Sequence, residues 1–241
     1  MNQSYRSDSP ELTRFTELAG EQTQRTPPAQ AQRLSLLAAA AIVGQGILLA
    51  TAWLLPLVSP SNIVNDTISE MALGPYGLVL TLAFVLSGLG VLGLAYSIRQ
   101  LTAGAWGSRA GSLLIGVYGV GAILSAFFPT DRIDSASDLA TLSTTGMIHS
   151  TVALVSFVSA VAGMVILAWT FSKAARWRSL LPWAAVLATG GVSLMLGQIV
   201  EPLSPWAGLL QRLLVTIIAA WLIAAALRVR NIALSAHEVS G

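Results

Sequence analysis

The residues best able to do chemistry in this chain are one histidine and a few acids placed where apolar runs end. Asp131 closes the stretch Phe128-Pro129-Thr130-Asp131, and His149 lies one turn into the next run, just after Gly146-Met147-Ile148. A carboxylate beside an imidazole fixes its tautomer and raises its basicity. Asp131 orienting His149 as a general base is therefore the sharpest reading of this pair. The competing reading is packing. Ser156 and Gly163 follow His149 at offsets of 7 and 14, on the same side of a helix, which points the imidazole toward other helices.

Arg212 is the most informative single cation. It stands seven residues into an apolar run that starts at Pro205, about 10 Å along a helix. An arginine at such a depth costs about 2.5–3.5 kcal/mol unless it finds a partner or reaches water. It either snorkels to the headgroups or binds an anion, with Glu201 or Asp131 as carboxylate partners. Asp66, Ser69 and Glu70 occupy the first connection of the same side, and Gln198 ends the run before Glu201. Thr67-x-x-Glu70 fits a capping box, which makes Glu70 structural and leaves Asp66 and Ser69 as the better binding residues. Asn65-Asp66-Thr67 is also a glycosylation sequon, relevant only in a secretory-pathway host. A metal site built from His149 with Asp131, Asp66 or Glu70 would lack the paired histidines of zinc motifs, so no metal and no cofactor is expected. There is no cysteine, which excludes thiolate catalysis and disulfides.

The elements that must position these residues are apolar. The chain is 54% hydrophobic and only 10% charged, against about 25% charged in soluble domains. Six runs stand out: Leu34–Val58, Gly77–Ser97, Gly111–Phe128, Met147–Phe171, Leu180–Val200 and Pro205–Leu227. Each is long enough to cross a hydrocarbon core of roughly 30 Å, the third only just. Backbone groups in lipid must be satisfied within the segment, so the expected fold is all-α, a polytopic bundle of six transmembrane helices. Residues 1–33 read as a disordered cytoplasmic tail, 34–227 as the membrane domain and 228–241 as a short cytoplasmic tail.

Eleven of the thirteen Lys and Arg fall on one side, all except Arg132 and Arg212. By the positive-inside rule that side is cytoplasmic, with both termini in it, and the plasma membrane is the expected location. Trp53, Tyr76 and Trp206 are expected at the outer interface. Tyr96, Trp106, Trp169, Trp177 and Trp183 are expected at the inner one. Small residues at spacings of three or four (Gly90 and Gly93, Gly116 and Gly119, Ser159 and Gly163, Ser193 and Gly197) predict close helix packing, or faces for a homo- or hetero-oligomer. The prolines Pro60, Pro129 and Pro202 each follow a helix, as is usual after helix ends. The small net charge of +2 and dispersed basic residues exclude a nucleic-acid partner. No ionisable residue occupies the middle third of any run, which argues against a proton relay or charged ion path.

The acidic Ser/Thr stretch Asp66-Thr67-Ile68-Ser69-Glu70, the Phe128-Pro129-Thr130-Asp131 exit and the Gly146-x-x-His149 entry resemble the integral membrane proteins of domain-of-unknown-function family 998. The resemblance covers Leu34 to Leu227. It implies a six-helix membrane architecture with Asp66, Ser69, Glu70, Asp131 and His149 in one outer constellation, and no activity. A weaker likeness to alkaline-ceramidase-type hydrolases departs in span number and in lacking their paired histidines. Three functions compete. One is a shallow outer pocket that binds a lipid headgroup or small amphiphile. Another is a lipid hydrolase or transferase using His149 and Asp131, with Arg212 holding a phosphate or oxyanion. The third is a structural subunit held to partners through its glycine faces.

Overall fold

The computed structural model describes residues 28–104, 106–133, 138, 141–200 and 205–238. Six helices carry the fold: α1 (Pro28–Leu54), α2 (Gly77–Leu101), α3 (Trp106–Phe127), α4 (Thr144–Ser172), α5 (Leu181–Val200) and α6 (Ala207–Glu238). Each packs on its neighbours in sequence, and α6 returns to pack along α1, so the helices close into a ring. Helices α1, α2, α3, α4 and α6 are long and apolar enough to cross a membrane. That is five where six runs were expected. The apolar stretch of α5 described in full, Leu181–Gly197, is shorter than the other five. Leu36, Leu78, Leu113, Val186 and many similar side chains are exposed around the ring. An apolar girdle of that extent suits hydrocarbon rather than water.

Helix α1 begins at Pro28, six residues before the apolar run. Proline is well placed in a first helical turn, and Ala31 and Leu34 are already buried there. Residues 1–27, most of the expected tail, lie outside the described residues. At the other terminus α6 runs on to Glu238, past the expected end at Leu227.

Close backbone approach holds the ring together. A Cβ added at Gly88 would lie 2.5 Å from the Gly119 carbonyl oxygen, and one at Gly90 would lie 2.8 Å from the Ala41 Cα. These contacts join α2 to α3 and to α1. Gly163 similarly faces the Gly111 carbonyl oxygen at 3.2 Å. Gly90, Gly119 and Gly163 thus do what their spacing predicted, whereas Gly116 and Gly197 face open space. A buried hydrogen bond from Gln45 Nε2 to Ser87 Oγ (2.7 Å) reinforces α1–α2, and one from Trp53 Nε1 to Thr216 Oγ1 (3.0 Å) joins α1 to α6.

Trp53 is half-buried against α6. One tryptophan differs from the expected aromatic belt: Trp177 is fully buried, stacked on Phe171 at 4.3 Å. The short 3-10 helix Ala175–Trp177 folds back under α4, so its indole enters the bundle core instead of the lipid interface. Tyr76, Tyr96, Trp106, Trp169, Trp183 and Trp206 are exposed.

Gly88→Val should lower the thermal stability of the detergent-solubilised protein by about 1–3 kcal/mol, because neither backbone can retreat. Gly46→Ala, with nothing within 4 Å of the new methyl, should leave it unchanged. Equal behaviour of the two variants in a thermal unfolding assay would contradict the close-approach reading.

Candidate binding cavity at the acidic end

One end of the ring gathers the ends of α1 and α3, the starts of α2, α4 and α6, and the acids Asp66, Glu70 and Asp131. Arg212 is fully enclosed there. Its Nε donates to the Ala52 carbonyl at 3.1 Å. Nη1 donates to the carbonyls of Ile63 (3.0 Å), Asp66 (2.6 Å) and Gly208 (3.1 Å), and Nη2 lies 3.6 Å from Met71 Sδ. The reason starts in the sequence. A helical carbonyl at Ala52 would accept from the amide four residues on, but that residue is Pro56, which has no N–H. The guanidinium supplies the missing donor and collects three further carbonyls. It neither snorkels nor presents itself to a phosphate.

His149 also bonds to a main-chain carbonyl. Its Nδ1 lies 2.7 Å from the Phe128 carbonyl oxygen, just past the end of α3 and next to Pro129. Asp131 is engaged elsewhere: it accepts from Ser143 N at 2.6 Å and from Ser143 Oγ at 2.9 Å. Ser143 in turn caps α4, its Oγ accepting from Gly146 N at 3.0 Å. Gly146 is small because Asp131 sits where its Cβ would be. No hydrogen bond joins Asp131 to His149, since the imidazole's orienting partner is a backbone carbonyl.

The first connection folds as its motif predicted. Glu70 Oε2 accepts from Thr67 N (2.6 Å) and Thr67 Oγ1 (2.9 Å) at the head of a 3-10 helix, Ser69–Leu73. The other oxygen, Oε1, accepts from Ile133 N at 3.3 Å and ties this connection to the next. Asp66 Oδ2 accepts from Asn62 N (2.9 Å), making a local turn. The Val64 carbonyl accepts from Leu209 N (3.0 Å), one of the orphan donors that begin α6. Glu201 and the side chain of Gln198 lie outside the described residues. Among those described, no three His, Asp or Glu residues gather to hold a metal ion.

Beneath the Ser69–Leu73 turn the ring encloses a cavity of about 40 Å³ between α1, α2, α3, α4 and α6. Its polar lining is Ser69, Tyr118, Ser125, Ser156 and Gln211, and Phe84 and Phe157 are among the apolar walls. Gln211 Oε1 accepts from Ile68 N at 2.7 Å, and Ser156 Oγ donates to Val152 O at 2.5 Å. The hydroxyls of Ser69, Tyr118 and Ser125 bond to no described group. Of the expected binding residues that are described, Ser69 alone lines this cavity. Tyr118, Ser125 and Gln211 were not singled out from the sequence, although Tyr118 and Ser125 stand seven apart on one helix face and Gln211 adjoins Arg212.

This architecture can be set beside known proteins. The family described as "Protein of unknown function (DUF998)" matches over residues 42–228. The chain belongs to that family. No curated protein and no solved structure matches it. The DUF998 match runs from the middle of α1 into α6, and so takes in both backbone-capping residues, Arg212 and His149. In this DUF998 protein the expected outer residues Asp66, Glu70, Asp131 and His149 do converge on one end, each bonded to backbone or to a neighbouring hydroxyl.

Arg212→Leu should therefore destabilise the protein by roughly 3–5 kcal/mol, because several carbonyls lose their donor together. A neutral or stabilising effect in thermal unfolding would refute that role. His149→Asn, whose amide can reach the same carbonyl, should retain more stability than His149→Leu, which should lose about 1–3 kcal/mol. Equal loss in both would mean that the Phe128 bond contributes little.

Proposed function

We propose that this DUF998 protein crosses the membrane six times with both termini in the cytoplasm, and that the cavity at its outer end binds the polar head of a small amphiphile. The topology is supported by the charge distribution. Arg33, Arg99, Arg109, Lys173, Arg176, Arg178, Arg228 and Arg230 belong to the end opposite the acids. Helix α5, 20 residues long, spans about 30 Å and serves as the remaining pass.

One observation carries the binding reading: three hydroxyls, from Ser69, Tyr118 and Ser125, line a cavity without a described protein partner. Ser69 and Tyr118 are buried and Ser125 is half-buried, and polar groups in such places mostly pair with protein or ordered water. The cavity as it stands has room for about three waters, and these are what a ligand's hydrogen-bonding end would displace. The ligand's apolar body would lie against Phe84 and Phe157. With Arg212 and His149 committed to carbonyls, the recognition is neutral. Hydroxyl, amide or carbonyl groups are favoured over a phosphate.

Two measurements test this. The chain has no cysteine, so single cysteines report topology against a clean background. Ser61→Cys should react with an impermeant maleimide added outside cells, and Ser179→Cys should react only after permeabilisation. The opposite pattern would overturn the orientation. For binding, native mass spectrometry of protein extracted in mild detergent should find a small non-covalent adduct. Its affinity should fall about thirtyfold in Tyr118→Phe/Ser125→Ala, from two lost hydrogen bonds of about 1 kcal/mol each. Absence of any adduct, together with a rise in thermal stability in the double variant, would sink the reading.

A further inference from the structure

The opposite, basic end carries a second and larger concavity. Between α2 and α3 an open groove of about 510 Å³ faces outward from the ring, its apolar walls including Leu92, Leu113 and Val120. Arg99 of α2 and Arg109 of α3 close it at the basic end. Along α3 the lining residues Arg109, Leu113, Gly116 and Val120 recur at helical spacing, so one face of the helix forms the groove for about 16 Å.

Four observations bear on what occupies it. Gly116 has nothing within 4 Å of the place a Cβ would take, whereas Gly119, one turn on, packs against α2. The glycine at 116 leaves space instead of permitting helix contact. Ser112, also in the lining, has a buried hydroxyl without a hydrogen-bond partner among the described residues. Neither arginine has a carboxylate partner among the described residues, and no Asp or Glu occurs between Glu70 and Asp131. Arg109 is exposed and bonds to no described residue, while Arg99 reaches only Ser108 Oγ, at 3.5 Å. Finally, Arg33 of α1 stacks over Tyr96, another lining residue, at 5.4 Å from the ring centroid, which brings a third cation to the rim.

We propose that this groove seats an anionic glycerophospholipid of the surrounding bilayer, an acyl chain against Leu113, Gly116 and Val120 and its phosphate between Arg99 and Arg109. An open apolar channel that ends in unpaired cations at headgroup level matches the two halves of such a lipid. Basic pockets between helices on the cytoplasmic side recognise anionic headgroups by this combination. A wholly apolar occupant would leave the arginines without a counter-charge. A soluble phosphate would leave the channel empty.

The test reconstitutes the full chain in nanodiscs of mixed phosphatidylglycerol and phosphatidylcholine and counts retained lipids by native mass spectrometry. The wild type should retain phosphatidylglycerol in preference. Arg99→Gln and Arg109→Gln should each weaken that retention about fivefold. Gly116→Leu, which fills open space and leaves helix contacts alone, should displace the lipid whatever its headgroup. Equal retention of both lipids by the wild type, or an unchanged preference in the double arginine variant, would overturn the proposal. So would efficient disulfide cross-linking of Gly116→Cys between two copies, which would make the groove a protein interface. Gly116→Leu failing to accumulate would contradict the open space on which the proposal rests.

Discussion

A carbonyl at the end of a membrane helix needs a donor, and next to hydrocarbon water cannot be relied on to supply one. Most of what is unusual at the acidic end of this protein follows from that constraint. Helix α1 ends ahead of Pro56, so the amide that would have closed its last turn on Ala52 O is missing. Arg212 reaches across from the helix that enters nearby and donates to that carbonyl. At the exit of helix α3, His149 bonds to a main-chain carbonyl of its own, Phe128 O, just past the helix end. Burying a guanidinium is costly in isolation. Four carbonyls and one sulfur offset that cost here.

The constraint also shapes what the site can do. Charged groups that bond to backbone are not available to a ligand, so the residues with the most chemical reach contribute architecture. In the proposed binding reading, recognition falls to the less conspicuous set: Ser69, Tyr118 and Ser125, hydroxyls of a cavity whose lining is otherwise mostly apolar. The connections above them are braced through Glu70, which joins the Thr67 turn to Ile133. Together with Arg212 this makes the roof of the cavity one hydrogen-bonded unit, whose backbone acceptors are already spoken for before any ligand arrives.

How much of this could be read from residues alone depends on where the partner's identity is written. The apolar runs and the Thr67–Glu70 box are legible because both partners are side chains or a fixed period. The convergence of Asp66, Glu70, Asp131 and His149 on one end also follows from the order of the helices. The partner of Arg212 was not legible. Its acceptors are main-chain carbonyls, which carry no residue signature, and the useful clue was the absent amide of Pro56. Asp131 shows a related difficulty. Ser143, an ordinary helix cap, engages both its oxygens and so competes directly with the more distant imidazole for them. Glycine spacing identified which helix faces are smooth, but not which of them touch. Gly119 meets a neighbour and Gly116 does not, because Gly116 lies on the outward, groove-lining side of α3.

The two ends of the molecule are held together differently. Toward the acidic end, hydrogen bonds between connections draw the helix ends together, and the space left inside is small and lined by neutral hydroxyls. Toward the basic end, the corresponding connection between α2 and α3 is held by neutral hydroxyls, Thr102 and Ser108 at 2.6 Å, and Arg99 and Arg109 have no carboxylate partner among the described residues. In the proposed lipid reading, their counter-charge comes from outside the bundle. In a bilayer, the nearest abundant source of fixed negative charge at that depth is the lipid headgroup itself.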